Sequence, residues 1–266
     1  MSRIAAIISR RGVLTQLVGR DVRVKYGSSV LGYFWSLLEP LMLTAVYYLI
    51  FTVLLERARF GISNYALFLM LGVLPWLWVN TTVSASMRAM RGQARLITKV
   101  RIPREIFPLS VVGAKTFEFL VSWFVIIGIA AVAGVPPTMN AAYLPLVFLI
   151  QLLLVTGLSL FLSSVNVMLR DLERLTRIIL RAGFYLSPVI YPVQRFLEPG
   201  QLPDWARLLY QMNPLVGIFG FYRSIFYPET FPTTTMITAS VSISVLMFVV
   251  GYWTFLRLEP AVLKEL

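Results

Sequence analysis

The sequence predicts an all-α integral membrane protein, with an N-terminal amphipathic interface helix, six transmembrane helices, and re-entrant gate helices between the fifth and sixth spans. Three observations lead there. Of the 266 residues, 58% are hydrophobic and only 14% charged, with a mean hydropathy of +0.77; soluble domains carry roughly 45–50% apolar and about 25% charged residues. The apolar residues fall in long uncharged runs, one of them the 28 residues 60–87, well beyond the roughly 20 needed to cross a bilayer. The basic residues lie between these runs, where they act as topology signals.

Residues 2–25 read as an amphipathic helix. Ile4, Ile7, Ile8, Leu14, Leu17 and Val18 follow helical spacing, while Arg3, Arg10, Gln16, Arg20 and Arg23 take other faces. Such a helix beside a span lies in the membrane interface, or serves only as a topology anchor. Arg10 and Arg11 interrupt the stretch before a secretory h-region can form.

The first span falls within 33–55 and opens on the aromatic cluster Tyr33-Phe34-Trp35, with Glu39 and Pro40 in its first third. The second comes from 60–87. The third runs over 108–133, with Lys115 and Glu118 near its start, and ends at the turn Gly134-Val135-Pro136-Pro137. The fourth occupies 143–169 and the last 235–256. Between them, 182–232 holds seven of the fifteen prolines, so its apolar pieces are short. Residues 180–193 cross only if the helix extends back over Arg177 and Arg181, and 214–226 is too short to cross. One short fifth span followed by a re-entrant pair is therefore expected, with an ordinary extracellular loop as the alternative.

Orientation follows from the basic residues. With these spans, eighteen of the 24 Lys and Arg fall on one side, five on the other, and Lys115 lies inside a span. This predicts both termini in the cytoplasm. The chain reads as a single domain over 1–266, with an interface helix in 1–30, a cytoplasmic coupling segment in 87–107 and an outer gate segment in 187–232.

Composition excludes several chemistries. With no Cys and no His, there are no disulfides, thiol nucleophiles, imidazole bases or the usual zinc and haem ligands. No G-x-x-x-x-G-K-[ST] occurs, so ATP is not bound through a P-loop in this chain. No D-x-D or mid-span carboxylate pair marks an enzyme or a proton-coupled secondary transporter. The net charge of +12 fits lipid headgroups better than nucleic acid. Lys115 and Glu118, at i and i+3, can pair within the membrane.

Two features carry functional information. The segment MRAMRGQARLITKVRIPREIF (87–107) is too basic for a span and too apolar for a tether. Ala94, Ile97 and Val100 form one face of a short helix, ringed by Arg95, Lys99 and Arg101 and ended by Pro103. Such a helix fits a groove on a soluble partner, or lies on lipid. The second feature is aromatic density, with 18 Phe, 12 Tyr and 6 Trp. Most suit an interface belt; a subset facing a channel offers flat faces on which sugar rings stack.

Five stretches together resemble a known family: RDVRVKYGSSVLGYFWSLLEPLM (20–42), LITKVRIPREIFPLS (96–110), NVMLRDLERL (166–175), SPVIYP (187–192) and NPLVGIFGFYRSIF (213–226). In order and spacing they are similar to the permease subunits of bacterial ABC transporters that export lipid-linked polysaccharide, the O-antigen, teichoic-acid and galactan exporters. The resemblance implies a homodimer joined to two copies of a separate ATPase subunit, which holds the ATP and Mg; this chain carries no cofactor, metal or catalytic residue. It implies that Arg95, Lys99, Arg101, Arg104, Arg170 and Asp171 couple to the ATPase. Arg20, Arg23 and Lys25 attract the phosphate of the entering lipid-linked glycan, with Asp21 pairing a neighbouring Arg. Tyr33, Trp35, Tyr185, Tyr191, Phe221 and Tyr222 line the channel or its gate. The expected location is the bacterial plasma (inner) membrane; the alternatives are an ABC permease for drugs or small lipids, or a secondary transporter.

Overall fold

A computed structural model describes residues 10–26, 35–50, 62, 64–99, 102–169, 171–198 and 203–265. Every regular element among them is helical: α1 (Arg11–Tyr26), α2 (Trp35–Tyr48), α3 (Tyr65–Gly92), α4 (Ala94–Lys99), α5 (Ile106–Ala133), α6 (Leu144–Met168), α7 (Leu172–Leu186), α8 (Gln194–Leu197), α9 (Asp204–Met212), α10 (Pro214–Ser224) and α11 (Thr234–Glu265). Short 3-10 turns at Met139–Tyr143 and Pro228–Thr230 complete them.

Among the described residues, four helices are long and apolar enough to cross a membrane: α3, α5, α6 with its leading turn, and α11. They correspond to the second, third, fourth and last predicted spans, with α11 continuing through Pro260 to Glu265. Of the other two predicted spans, the described part of the first holds α2, with 14 residues, and the fifth falls on α7, whose 15 residues are fewer than the roughly 20 that a full crossing takes.

Local chemistry sets several boundaries. The Asn64 side chain accepts from the Leu67 amide at the start of α3, satisfying one of the donors a helix N-terminus leaves open. Gly134 ends α5 in the left-handed region, φ +66, which costs glycine nothing, and Pro136-Pro137 prevent the helix from resuming.

Helix α3 is the central post. Its most apolar stretch is 78% buried, against 22% for α5 and for α11. Around Trp78 the core is aromatic: its ring stacks on Phe119 at 4.4 Å and on Phe148 at 5.4 Å between centroids. Helix α6 runs parallel to α3 and is tied to it by two side chains, Gln151 Nε2 donating to the Pro75 carbonyl (2.8 Å) and Asn166 Nδ2 to the Met87 carbonyl (2.8 Å). Helices α6 and α11 touch backbone to backbone, since a Cβ at Gly157 would collide with Met247 and one at Gly251 with Gly157. Small residues permit this close approach, which replaces the hydrophobic drive that helices lack in lipid.

These contacts define two ends. The basic end collects the C-termini of α3, α6 and α11 with the N-termini of α5 and α7: Arg88 meets Glu173, and Arg104 meets Glu259. The far end collects Tyr65, the α5–α6 turn and the described residues of 187–232; there Tyr227 OH donates to the Asn64 carbonyl and Thr138 bonds Ser224.

The fifth-span region differs from expectation. The predicted connection 170–181 is mostly helix: α7 begins at Leu172 and ends at Leu186, so Arg174, Arg177 and Arg181 lie on it, and Ser187–Pro192 forms the loop beyond. The apolar run 180–193 is interrupted by Pro188, which disfavours helix for the residue before it, and the amphipathic residues upstream form the helix instead.

Candidate functional site

At the basic end, three short elements pack on the ends of the long helices. Helix α4 follows α3 after a break at Gln93 and buries Ile97, which joins Leu17 of α1, Met90 of α3, Phe107 of α5, Val167 of α6 and Val262 of α11 in one apolar cluster. The six-residue helix α4 is too short to hold its form alone, so this socket fixes it. The expected inward face is thus half observed: Ile97 is buried and Ala94 half-buried, while Val100 lies outside the described residues.

Polar ties surround the socket. Arg104, just before α5, places Nη1 3.4 Å from Glu259 Oε1, and the Glu259 side chain is 9% exposed. Arg91 donates to the Val167 carbonyl at 2.9 Å. Arg88 forms an ion pair with Glu173 in the first turn of α7, and this hydrogen bond holds the Glu173 carboxyl below the usual carboxylate range, against the effect of burial. Arg20 bonds Asp21 at 2.8 Å, as expected for Asp21, and also reaches Gln93 Oε1 at 3.1 Å. Helix α1 lies against α5, with Val18 packed on Gly113 and Ala114. Helix α1 therefore contacts both the α3–α4 junction and α5.

The residues expected from the sequence to couple to an ATPase or to meet phosphate divide among these surroundings. Arg95 and Lys99 lie on α4, and Arg104 is half-buried beside Glu259. Asp171 precedes α7, exposed, 3.8 Å from Arg174. Arg20 and Arg23 are exposed on α1, which also carries Lys25. Arg101, Arg170 and Tyr33 lie outside the described residues. Lys115 and Glu118 pair as expected, Nζ–Oε1 2.8 Å.

At the far end, Arg223 of α10 is 2% exposed. Its guanidinium donates to the carbonyls of Tyr191 (3.0 Å) and Val189 (2.7 Å) and stands 3.7 Å over the Phe68 ring. Tyr65 OH donates to the intervening Ile190 carbonyl at 2.6 Å. Three successive carbonyls of the 187–192 loop are thus held against α3 and α10. Nε of Arg223 has no hydrogen-bond partner among the described residues.

Comparison with known proteins decides the family. The profile of the ABC-2 type transporter family matches residues 13–227, from α1 through α10. The chain belongs to the ABC-2 type transporter family. It is 33% identical over 238 residues to the O-antigen export system permease protein RfbA of Myxococcus xanthus, covering 89% of this chain and 88% of that one. It is 31% identical over 215 residues to the RfbA permease of Klebsiella pneumoniae, covering 80% of each chain. The polysialic acid transport protein KpsM of Escherichia coli is 24% identical over 214 residues, with 79% of each chain covered.

In this ABC-2 transporter chain the expected lining aromatics separate into two groups. Trp35 is 42% and Tyr185 67% exposed, and Tyr191 is half-buried with its hydroxyl donating to the Tyr185 carbonyl at 2.8 Å. Phe221 and Tyr222, by contrast, are fully buried: Tyr222 packs on Phe119 and Trp123, and Phe221 on Tyr143 and Phe231. They present no ring face outside this fold. Gln93, Glu173, Glu259 and Arg223 were not singled out from sequence. Arg223 and Glu173 stand inside two of the quoted stretches, and an ionisable residue in an apolar run such as 213–226 is itself a signal. Gln93 and Glu259 gain meaning only from the partners that the fold brings to them.

Proposed function

We propose that this chain is the membrane-spanning permease subunit of an ATP-driven exporter that moves a lipid-linked polysaccharide or polyol-phosphate polymer out of the cytoplasm. The observation that carries the reading is family membership over 13–227 joined to 33% identity, across nearly nine-tenths of both chains, with an O-antigen export permease. The basic end faces the cytoplasm of a bacterial plasma membrane, with both termini on that side, as the distribution of Lys and Arg supports.

In this reading two copies of the chain enclose the pathway and two copies of a separate ATPase, holding ATP and Mg, dock at the basic end. Helix α4 takes the push. Its buried Ile97 and the Arg104–Glu259 pair link it to α5 and α11, so displacement of the socket tilts whole spans rather than bending a loop. Arg95, Lys99 and Arg101 face the ATPase, and Arg170 with Asp171 form a second contact. Arg20, Arg23 and Lys25 draw in the phosphate of the lipid carrier; Arg20, being already bonded to Asp21 and Gln93, also reports arrival of charge at the α3–α4 junction. Tyr33, Trp35, Tyr185 and Tyr191 supply sugar-stacking faces. The segment 187–232 closes the outer mouth, with Phe221 and Tyr222 as its packed base.

Co-expression with the ATPase encoded nearest to it, followed by mild detergent extraction, tests the class. The expected result is an assembly with two of each chain that hydrolyses ATP and accumulates no lipid-linked polymer in cells. A lone permease without a partner overturns the reading. Active assembly with normal polymer export in its absence transfers the chain to an exporter of drugs or small lipids.

A further inference from the structure

The sequence carries no charge between Glu118 and Arg170, a stretch that holds the second half of α5, the α5–α6 turn and all of α6. An apolar hairpin of this kind meets hydrocarbon wherever the rest of the protein does not cover it. From Trp123 to the end of α5 the exposed residues are Phe124, Ile127, Gly128, Ala131 and Val132. None of them offers a polar side chain, so this face of α5 at the far end is turned to lipid.

A groove of about 610 Å³ opens on this face, within the size range of small-molecule sites. Two contacts frame it. At its outer edge the α5–α6 turn is laced to the end of α10. The Thr138 amide donates to the Ile225 carbonyl at 2.7 Å, and Thr138 Oγ1 and Asn140 Nδ2 donate to the Ser224 carbonyl at 3.0 and 3.2 Å. Deeper in, Trp123 of α5 rests on Tyr222 of α10, ring centroids 5.7 Å apart. Between the two contacts stand Ala130, Ala131, Gly134 and Ala141, whose side chains are too small to fill the space. The residues that line the groove are all apolar.

We infer that the groove holds one acyl chain of a membrane phospholipid, in the leaflet at the far end. An empty apolar hollow leaves its wall atoms without contacts, and water finds no hydrogen-bond partner in it. The hydrocarbon that covers the rest of this face fills it. Taken as a cube, the groove is roughly 8–9 Å across, narrower than the 10–12 Å of a helix with its side chains. A single chain therefore enters where a helix of a second copy does not. With no charged group on its walls, the site reads the chain and not the headgroup. A chain seated there touches α5, the α5–α6 turn and the end of α10 at once, and so joins a membrane span to the outer segment. The inference requires only that α5 lies in lipid, and holds whatever the cargo is.

The test uses the full chain in nanodiscs of phosphatidylethanolamine and phosphatidylglycerol, with a trace of phospholipid bearing a diazirine midway along one acyl chain. Transfer to mild detergent strips loosely held lipid before illumination. Label is expected on peptides covering 123–144 and 225–226, well above that on the exposed Val245, Val249 and Trp253 of α11. A131F and A141F fill the groove from two of its walls, and each is expected to lower this labelling severalfold. V132F, at a neighbouring residue that is 93% exposed and outside the lining, is expected to leave it unchanged. The two filling variants alter different elements, so either one that keeps the wild-type elution profile decides the point. Diazirine lipids with either headgroup are expected to label equally. Even labelling of α5 and α11, no loss in A131F and A141F, or labelling by one headgroup alone overturns the site. Displacement of the label by a long-chain prenyl phosphate and not by phospholipid overturns it too, by making the occupant a carrier lipid. In a chain without native cysteine, an I127C disulfide between two copies in the membrane overturns it by putting a second copy over the groove.

Discussion

The two ends of the molecule hold charge in different ways. At the basic end, arginines pair with carboxylates or amides on other elements: Arg88 with Glu173, Arg104 with Glu259, Arg20 with Gln93. The side chains involved range from 9% to 70% exposed, so water and headgroups share their solvation, and such ties can break and re-form as a partner moves. At the far end Arg223 is buried on the carbonyls of Val189 and Tyr191 and the face of Phe68. Those acceptors belong to the backbone and lose this donor when the arginine is removed. The basic end thus holds its charge in partly exposed ties, and the far end in a buried node.

Breaking the far-end node should give the largest effect. R223M leaves the buried Val189 carbonyl and the half-buried Tyr191 carbonyl without their donor, each costing about 1–3 kcal/mol at most. A loss of roughly 3–5 kcal/mol is expected in thermal unfolding of the detergent-solubilised protein, with R223K restoring less than half of it. A stable R223M would make the two ends equivalent.

Next comes E259Q at the basic end. Weakening the hydrogen bond from Arg104 to a nearly buried carboxylate should cost about 1–3 kcal/mol, less than R223M, and should lower polymer export per ATP hydrolysed. Proportional loss of export and hydrolysis would reduce the pair to a structural tie. Charge reversal on α4 sharpens the same point: R95E or K99E is expected to uncouple hydrolysis from export with thermal stability unchanged, and normal export would remove α4 from the coupling path.

The Lys115–Glu118 pair, 14% and 16% exposed, lies between the two regimes. K115M should be more damaging than K115M/E118Q, by about 1–2 kcal/mol in a double-mutant cycle, because the single change strands a carboxylate. The smallest effect belongs to R88Q. With the Arg88 side chain 70% exposed, its stability loss should stay at or below about 1 kcal/mol and shrink further in high salt.

Much of this was legible in the sequence for physical reasons. Long uncharged runs must become helices in lipid, where every backbone group needs a partner within the segment; α3, α5, α6 and α11 followed. The Asp21–Arg20 and Lys115–Glu118 pairs are local, one or three residues apart, and could be read from spacing. The short helix α4 was visible from its apolar face and Pro103.

Tertiary structure decided what depends on distant partners. Gly157 meets Gly251, Arg104 meets Glu259, and Arg223 meets a loop more than 30 residues away; no local periodicity encodes these pairings. The same holds for the two classes of aromatic residue. Tyr185 and Tyr222 look alike in sequence, yet one is 67% exposed and the other fully buried, because exposure is a property of the packed bundle. Helix α7 shows the division most clearly. Composition marked Arg177 and Arg181 as obstacles to a span, whereas the helix that forms, α7, sets them with Arg174 along one exposed stripe. Hydropathy determines that a segment enters the bilayer; only packing determines which way its charges turn.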